Sequence, residues 1–592
     1  MTVTTAIAPQ PGSHRRRLVL GVAVLALVVW AVLAAAVLLR ARRDTYAGID
    51  KLEQAREVLT PKALVKGEGV DLLRDAEADF ERAHSGVRSP LLAPLRLLPV
   101  IGRQVRAVDG MTNGAAEVVD AGTEAIEGAG DALDRAQPTG DARVAVVREL
   151  GAVVARASAR LNAVDLGPGS ALVGPVHSAR ERFDAELTDL RGAIGDMRDA
   201  TDALAGFLQG PRRYLLLAAN NAEMRVGSGT FLSAGVLKVE RGSLELGDMR
   251  PIEEFEVPAG AVRIEGDLAD RWGWLQPNRE WRNLGASPWF DSQAALAAQM
   301  WKARTGEEVD GVLALDPIAL RALLEATGPV EVEGVKIDAR NVVSEILLDQ
   351  YRGLVGYPQD QPRRDRLNEI ARAAMDNLES GEWETVDLVD ALRRAAGGRH
   401  VLAWSARSEE QRGWRGAGIA GDLEDESVLL GVHNRGGNKL DQFLDVRAGV
   451  STTANGEGTE VRVLVEMRNR APEGLPQYVA GPFPAAAGAA EGLYQGLLVA
   501  ELPRLARDFY MTDASGERLD LVAGGADGPS WVVASYVEVP RGASRRVVVR
   551  FQLPEGSNAL VVEPSARVPA VAWTFAGDGW TDEAGRRIEW DG

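Results

Sequence analysis

Three arginines, three carboxylates and a pair of amides carry the chemistry this sequence offers. Arg363 and Arg366 stand three apart in Asp360–Leu367, DQPRRDRL, so on a helix they share a face. Two guanidiniums on one face can clamp a phosphate or pyrophosphate through paired hydrogen bonds. A solvated helix start, with Asp360 and Asp365 near the positive end of the helix dipole, explains the same residues without a ligand. The other group lies in Arg213–Gly235, RYLLLAANNAEMRVGSGTFLSAG. There an apolar run, Tyr214–Ala219, stops at Asn220-Asn221, and Glu223, Arg225 and the turn Gly227-Ser228-Gly229 follow. An apolar strand that ends in a polar loop is a common place for a site in an α/β domain. A plain strand, turn and strand with solvated polar residues remains the alternative reading.

Composition narrows the chemistry further. Cysteine is absent, which removes disulfides, thiolate catalysis and cysteine-bound metals. There are 5 histidines, and none falls between Arg213 and Arg399, so a site there must work with carboxylates, arginines or a bound metal. The net charge of −18 argues against a nucleic-acid partner. At 592 residues the chain is too long for one core.

The elements that would position these residues follow from periodicity. Val236–Val239 reads as a strand, Asp291–Arg304 as a helix and Val309–Asp316 as a strand. Pro317–Thr327 reads as a helix, Val330–Val332 as a strand, and Asn341–Tyr351 and Arg366–Leu378 as helices. Helices alternating with short strands predict a layered α/β sandwich over 211–435. The tryptophans Trp272, Trp274, Trp281 and Trp289 form either core or platforms for sugars. Upstream, 44–209 is Ala-, Glu- and Arg-rich with apolar residues at helical spacing, broken at Ser89–Gly102, Pro138-Thr139-Gly140 and Gly167-Pro168-Gly169. That predicts an all-α stalk of four helices, a spacer or partner-binding element through which the chain forms a homo-oligomer. Downstream, Val461, Val463, Val465 and Met467, and later Val547, Val549, Phe551 and Leu553, alternate with mostly polar residues. This predicts an antiparallel β-sandwich over 436–592. The loop Gly436-Gly437-Asn438-Lys439 is either a plain turn or an anion receptor.

Leu18–Leu39 is 22 residues without a charge. As a helix it would reach about 33 Å, enough to cross a bilayer core. Arginines flank it at Arg15–Arg17 and at Arg40, Arg42 and Arg43. The expectation is a cytoplasmic tail over 1–17, a transmembrane helix over 18–39 and an extracytoplasmic remainder, placing a single-pass protein in the cell membrane.

Three stretches together resemble a known bacterial family. They are Tyr214–Gly235, Asp310–Gly334 (DGVLALDPIALRALLEATGPVEVEG) and Asn434–Leu444 (NRGGNKLDQFL), and the likeness spans about Pro99 to Gly556. The family is the one catalogued as domain of unknown function four thousand and twelve. It is common in envelope-associated actinobacterial proteins, often near polysaccharide genes. Its central part resembles, more distantly, the LytR-CpsA-Psr domain. That domain uses arginines, an aspartate and a divalent metal to move a polyprenyl-pyrophosphate-linked glycopolymer onto the cell wall. Asp310–Val332 is similar to its strand-helix-turn, Asp360-x-x-Arg363-x-x-Arg366 to its aspartate-arginine-arginine helix start, and Arg225 to the arginine after its first strand. The departure is Asn220-Asn221, where the related enzymes keep an aspartate. An amide supplies no negative charge for Mg²⁺.

The resemblance implies two rival functions. In one, the α/β domain binds or scaffolds a lipid-linked envelope glycopolymer without catalysis, using Asn220, Asn221, Arg225, Arg363 and Arg366 as phosphate ligands. In the other it is a phosphotransferase, with the three arginines on the pyrophosphate and Glu223, Asp291 or Asp360 holding Mg²⁺ or accepting the acceptor's proton.

Overall fold

The computed structural model describes residues 13–590 apart from 59–62, 64–65, 135–138, 355–361 and 483–489; for 13–27, 57 and 362–367 it describes the backbone alone. The chain forms two compact units, residues 1–134 with 152–195, and residues 135–151 with 196–592.

The first unit is helical. Helix α1 (Ser13–Val58) packs against α2 (Val70–Val87), which packs against α3 (Ile101–Asp134). Their core is Ala55, Leu73, Ala76, Phe80 and Val119. Small residues let the helices approach closely: a Cβ on Gly48 would sit 2.8 Å from the Phe80 ring. The buried Asp79 carboxylate is held by Lys51 at 2.8 Å and by Arg82. Helices α4 (Gly140–Ala163) and α5 (Gly174–Gln209) each run from one unit into the other.

The expected transmembrane span is corrected here. Among the described residues no helix is long and apolar enough to cross a membrane. The stretch Leu18–Leu39 falls within α1, but the side chains of Leu18–Leu27 lie outside the described residues. The single-pass membrane placement built on that span falls with it.

The second unit holds a mixed sheet in the order β3-β2-β1-β5-β8. Its strands are β1 (Arg212–Met224), β2 (Gly229–Glu240), β3 (Ser243–Leu246), β5 (Gly311–Leu315) and β8 (Val401–Ser405), with β4 (Arg250–Pro251) beside β2. β1 runs antiparallel to β2 and parallel to β5, and β5 runs antiparallel to β8. Helical material covers both faces. On one, Val144, Val147, Phe207 and Leu208 from α4 and α5 meet Tyr214, Leu237, Val239 and Trp414. On the other, Phe290, Ala294, Ala297, Met300 and Trp301 of α6 (Phe290–Thr305) meet Leu215, Leu217, Phe231 and Val312, with Trp281 closing the layer. Trp272, Trp281 and Trp289 are buried, whereas Trp274 is 43% exposed beneath the Arg435 guanidinium, 5.3 Å from its ring centre. Three of the four tryptophans are therefore core. Beyond β5 come α7 (Pro317–Thr327), the hairpin β6 (Val330–Val332) and β7 (Val335–Ile337), then α8 (Pro362–Ser380) and α9 (Thr385–Gly397).

The C-terminal part packs two six-stranded sheets face to face. One runs β13-β16-β11-β10-β18-β19, with β10 (Leu444–Asn455), β11 (Gly458–Asn469), β13 (Arg507–Asp513), β16 (Ser544–Leu553), β18 (Ala572–Phe575) and β19 (Asp578–Thr581). The other runs β14-β15-β12-β9-β17-β20, with β9 (Ser427–Asn434), β12 (Tyr494–Leu502), β14 (Ala523–Asp527), β15 (Ser530–Val539), β17 (Ala559–Glu563) and β20 (Arg586–Glu589). Alternate residues of β11 and β16 (Val461, Val463, Val465, Met467, Val547, Val549, Phe551) face Leu430, Val432, Leu498 and Val533 across the gap. Pairing is antiparallel except that β18 lies parallel to β10 and β17 parallel to β9.

Candidate functional site

β1 positions every residue of the Asn220–Arg225 cluster. Its first half, Tyr214–Ala218, pairs with both neighbours. Past Ala218 the register with β2 shifts, and shifts again between Asn220 and Met224. The strand therefore leaves the sheet and continues into the β-sandwich, where Met224 is wholly buried among the valines of the sandwich core. Gly229 allows the return: a Cβ there would lie 2.4 Å from the Asn220 carbonyl carbon.

The polar residues along this tail are engaged by the protein itself. The Asn220 side-chain oxygen accepts from the Ala222 amide at 2.9 Å, and its Nδ2 lies 3.4 Å from the Tyr351 hydroxyl. The Asn221 Nδ2 donates to Asp316 Oδ2 and to the Ala566 carbonyl of the sandwich, each at 2.7 Å. Arg225 is buried, and its guanidinium donates to the carbonyls of Arg282 (2.8 Å), Met224 (2.9 Å) and Asn434 (3.2 Å). Burial pushes it down to about 10, with the Glu223 carboxylate pulling the other way, so it stays charged at neutral pH.

Glu223 forms an ion pair with Lys439, whose side chain is 1% exposed. The Lys439 ammonium lies 5.1 Å from the ring centres of both Tyr351 and Tyr478. Burial raises the Glu223 carboxyl, but the Lys439 ammonium, with Arg225 and Arg282, leaves it below the ordinary glutamate range. Burial lowers Lys439, and Glu223 with the two tyrosines more than reverses that. The loop that carries Lys439 is thus a docking loop, pinned by Asn434 Nδ2 donating to Asn438 Oδ1 (3.1 Å) and Asp441 Oδ2 (2.8 Å). The Met224 amide also donates to Asp441 Oδ2, at 3.0 Å. Tyr494 and Arg567 close round the wholly buried Asp441 from the sandwich side.

A second cluster joins the ends of three adjacent strands. Asp316 follows β5, Asn221 lies on the β1 tail and His400 precedes β8. Asp316 Oδ1 accepts from the amides of Ile318 (2.8 Å) and Ala319 (3.1 Å), capping α7. Its Oδ2 takes Asn221 and lies 2.6 Å from His400 Nδ1. A carboxylate only accepts, so the Nδ1–H of the ring donates to it. Chemically this is an imidazole oriented by a carboxylate.

Of the remaining expected ligands, only Asp291 has a described side chain. Asp291 sits in the first turn of α6, where its Oδ1 accepts from the Ser292 amide at 2.7 Å. Asp360 lies outside the described residues. Arg363 and Arg366 lie in the first turns of α8, and their side chains are outside the described residues. The structure thus unites Asn220, Asn221, Glu223 and Arg225 along one strand tail, while Asp291, on α6, forms no hydrogen bond or ion pair with them among the described residues. Glu223, held by Lys439, and Asp291, on another element, do not make a joint donor set for Mg²⁺. Among the described residues no group of three or more His, Asp or Glu side chains could hold a metal ion.

Sequence reasoning passed over Asp316, His400 and Asp441 as site residues, and met Lys439 only as part of a loop read as a plain turn or an anion receptor. Asp316-Pro317 did mark a helix start, but its pairing with a histidine 84 residues away leaves no local trace.

A family model described as Protein of unknown function (DUF4012) matches residues 209–351. The match begins at the end of α5 and includes the whole β1 tail and Asp316. It is shorter than the Pro99–Gly556 span over which the motifs lie. No curated protein matches the chain, and no solved structure matches it. The expected likeness to the LytR-CpsA-Psr domain is not among these findings.

Proposed function

We propose that the chain is a non-catalytic binding or scaffolding module that handles a polyprenyl-pyrophosphate-linked glycopolymer in cell-envelope polysaccharide assembly. One observation favours binding over phosphotransfer. The charged groups at the end of β1 are engaged within the protein, Glu223 by Lys439 and Arg225 by three backbone carbonyls. Neither group is available to hold a metal or a developing charge. The ligand class rests on the motif resemblance and on the arginine pair. Arg363 and Arg366 both belong to the first turns of the 19-residue α8, whose N-terminus favours phosphate.

The test mixes the purified full chain with polyprenyl-pyrophosphate-linked oligosaccharide, with and without Mg²⁺ or Mn²⁺. Saturable binding with no release of lipid phosphate is the expected result. Arg363→Ala and Arg366→Ala should each weaken binding by about 1.5–3 kcal/mol, the worth of a charge-assisted hydrogen bond. Metal-dependent turnover would overturn the non-catalytic reading. Unchanged binding in both variants would overturn the arginine clamp.

A further inference from the structure

The outer face of the sheet containing β10, β11 and β16 is basic in a chain whose net charge is −18. Inward positions on these strands are apolar, so the outward ones carry the face. Cross-strand neighbours there are Asp445 with Arg468, Arg447 with Glu466 and Arg546, and Ser451 with Arg462 and Arg550. Three arginines are neutralised: Arg470 by Asp445, Arg546 by Glu466 at 2.6 Å and Arg550 by Glu460 at 2.6 Å. Arg447, Arg462 and Arg468 are exposed and form no ion pair among the described residues. Six guanidiniums against three carboxylates leave a net charge of +3. Arg462 and Arg468 lie six residues apart on β11, so the uncompensated charges extend about 20 Å along the strand.

The relief of this face is not flat. Asp445, Arg447, Glu466, Arg468 and Arg470 line a small depression. A second, larger one shares Glu466 and is lined also by Asp513, Arg545 and Arg546, so it adds one carboxylate and one guanidinium and leaves the net charge of the face unchanged. The composition selects among polyanions. Single-stranded nucleic acid needs aromatic platforms for its bases, and Tyr510 at this edge is already covered by the Arg518 guanidinium, 4.3 Å from its ring centre. A protein partner would need buried aromatic or aliphatic anchors at its centre, and here Leu464, flanked across the strands by Gly449 and the buried Val548, is the single exposed large apolar side chain described on β10, β11 and β16. Guanidiniums interleaved with carboxylates suit a chain that carries both anionic groups and hydroxyl donors.

We propose that this face is a docking surface for a linear carboxylated polysaccharide. Its carboxylates pair with Arg447, Arg468 and Arg462, and its hydroxyls donate to the carboxylates of Asp445, Glu460 and Glu466. The surface is separate from the end of β1 and from α8, and does not depend on the reading above.

The test measures binding of fluorescent oligogalacturonates to the full chain by anisotropy at low and high salt. The expected result is saturable binding that weakens with salt, with no binding of neutral dextran and weaker binding of oligothymidylate. Arg447→Glu with Arg468→Glu should lose at least tenfold in affinity, and Arg504→Glu, outside this face, should lose none. If the charge-reversed protein shows a lowered Tm, the milder Arg447→Gln with Arg468→Gln replaces it and should still lose several-fold. The proposal is overturned by no binding at low salt, by equal binding in the double variant, or by tighter binding of oligothymidylate. Salt-sensitive self-association abolished by the same double variant would also overturn it, since a second copy would then be the occupant.

Discussion

At the scale of single residues, the buried carboxyls Glu501 and Asp527 contribute to the pH response. Glu501 on β12 is wholly buried and Asp527 at the end of β14 nearly so. Ser530 Oγ donates to Glu501 Oε2 at 2.7 Å, and the indoles of Trp289 and Trp272 reach Ser530 and Asp527 at 3.0 and 3.2 Å. Burial, then the neighbouring Asp527, raise Glu501 well above the usual carboxylate range, and burial raises Asp527 too. The folded protein therefore holds a proton that the unfolded chain releases above its ordinary glutamate value. Stability from this group is complete below that value and is lost as pH rises through the raised folded one. Stability should fall as pH climbs from the ordinary glutamate value of about 4.3 towards the raised one, by up to about 1.4 kcal/mol per pH unit for one proton. Glu501→Gln, which keeps the neutral shape, should flatten that slope in urea unfolding; a slope unchanged by the substitution would assign it to other groups. None of this was legible in the sequence, because Glu501 and Asp527 look like ordinary polar breaks in apolar strands. The surroundings of Arg225 were not legible either: its partners are carbonyl oxygens, which every residue carries.

At the scale of elements, legibility tracked local signals. Pro317–Thr327 was placed to the residue because Asp316 caps it and Pro317 opens it, and both cues are adjacent in sequence. Asp316→Ala should cost about 1–2 kcal/mol through the lost cap alone, and more because Asn221 and His400 lose their acceptor. Asp316→Asn retains an oxygen for the cap and should cost less; equal losses in chemical denaturation would contradict the capping account. The alternation of Val461–Met467 was equally plain, since one face of β11 meets water. β9 escaped notice because it is buried on both faces, which erases the two-residue period. The β1 tail escaped because Asn220-Asn221 and Glu223 look like loop residues when their partners lie in the sandwich. Its anchor, Met224, is wholly buried in the sandwich core, so Met224→Ala should cost about 2–5 kcal/mol. A loss under about 1 kcal/mol would mean that the tail is not seated there.

At the scale of the molecule, a helical part followed by sheet-rich parts was legible from composition and periodicity. The coupling of the α/β sheet to the sandwich was not, because it runs through contacts more than two hundred residues apart. Those contacts tie Glu223 and Met224 of the β1 tail to Lys439 and Asp441. A buried ion pair that loses one partner leaves an uncompensated charge, at about 3–5 kcal/mol. The most direct measurement is a double-mutant cycle on Glu223→Gln and Lys439→Met in the full chain, read by urea unfolding of tryptophan fluorescence. The account predicts that each single change is strongly destabilising, that the pair couples by about 1–3 kcal/mol, and that the α/β and sandwich tryptophans unfold together. Near-neutral single changes that add without coupling would contradict it, and would return Glu223 to the set of groups free to meet a ligand.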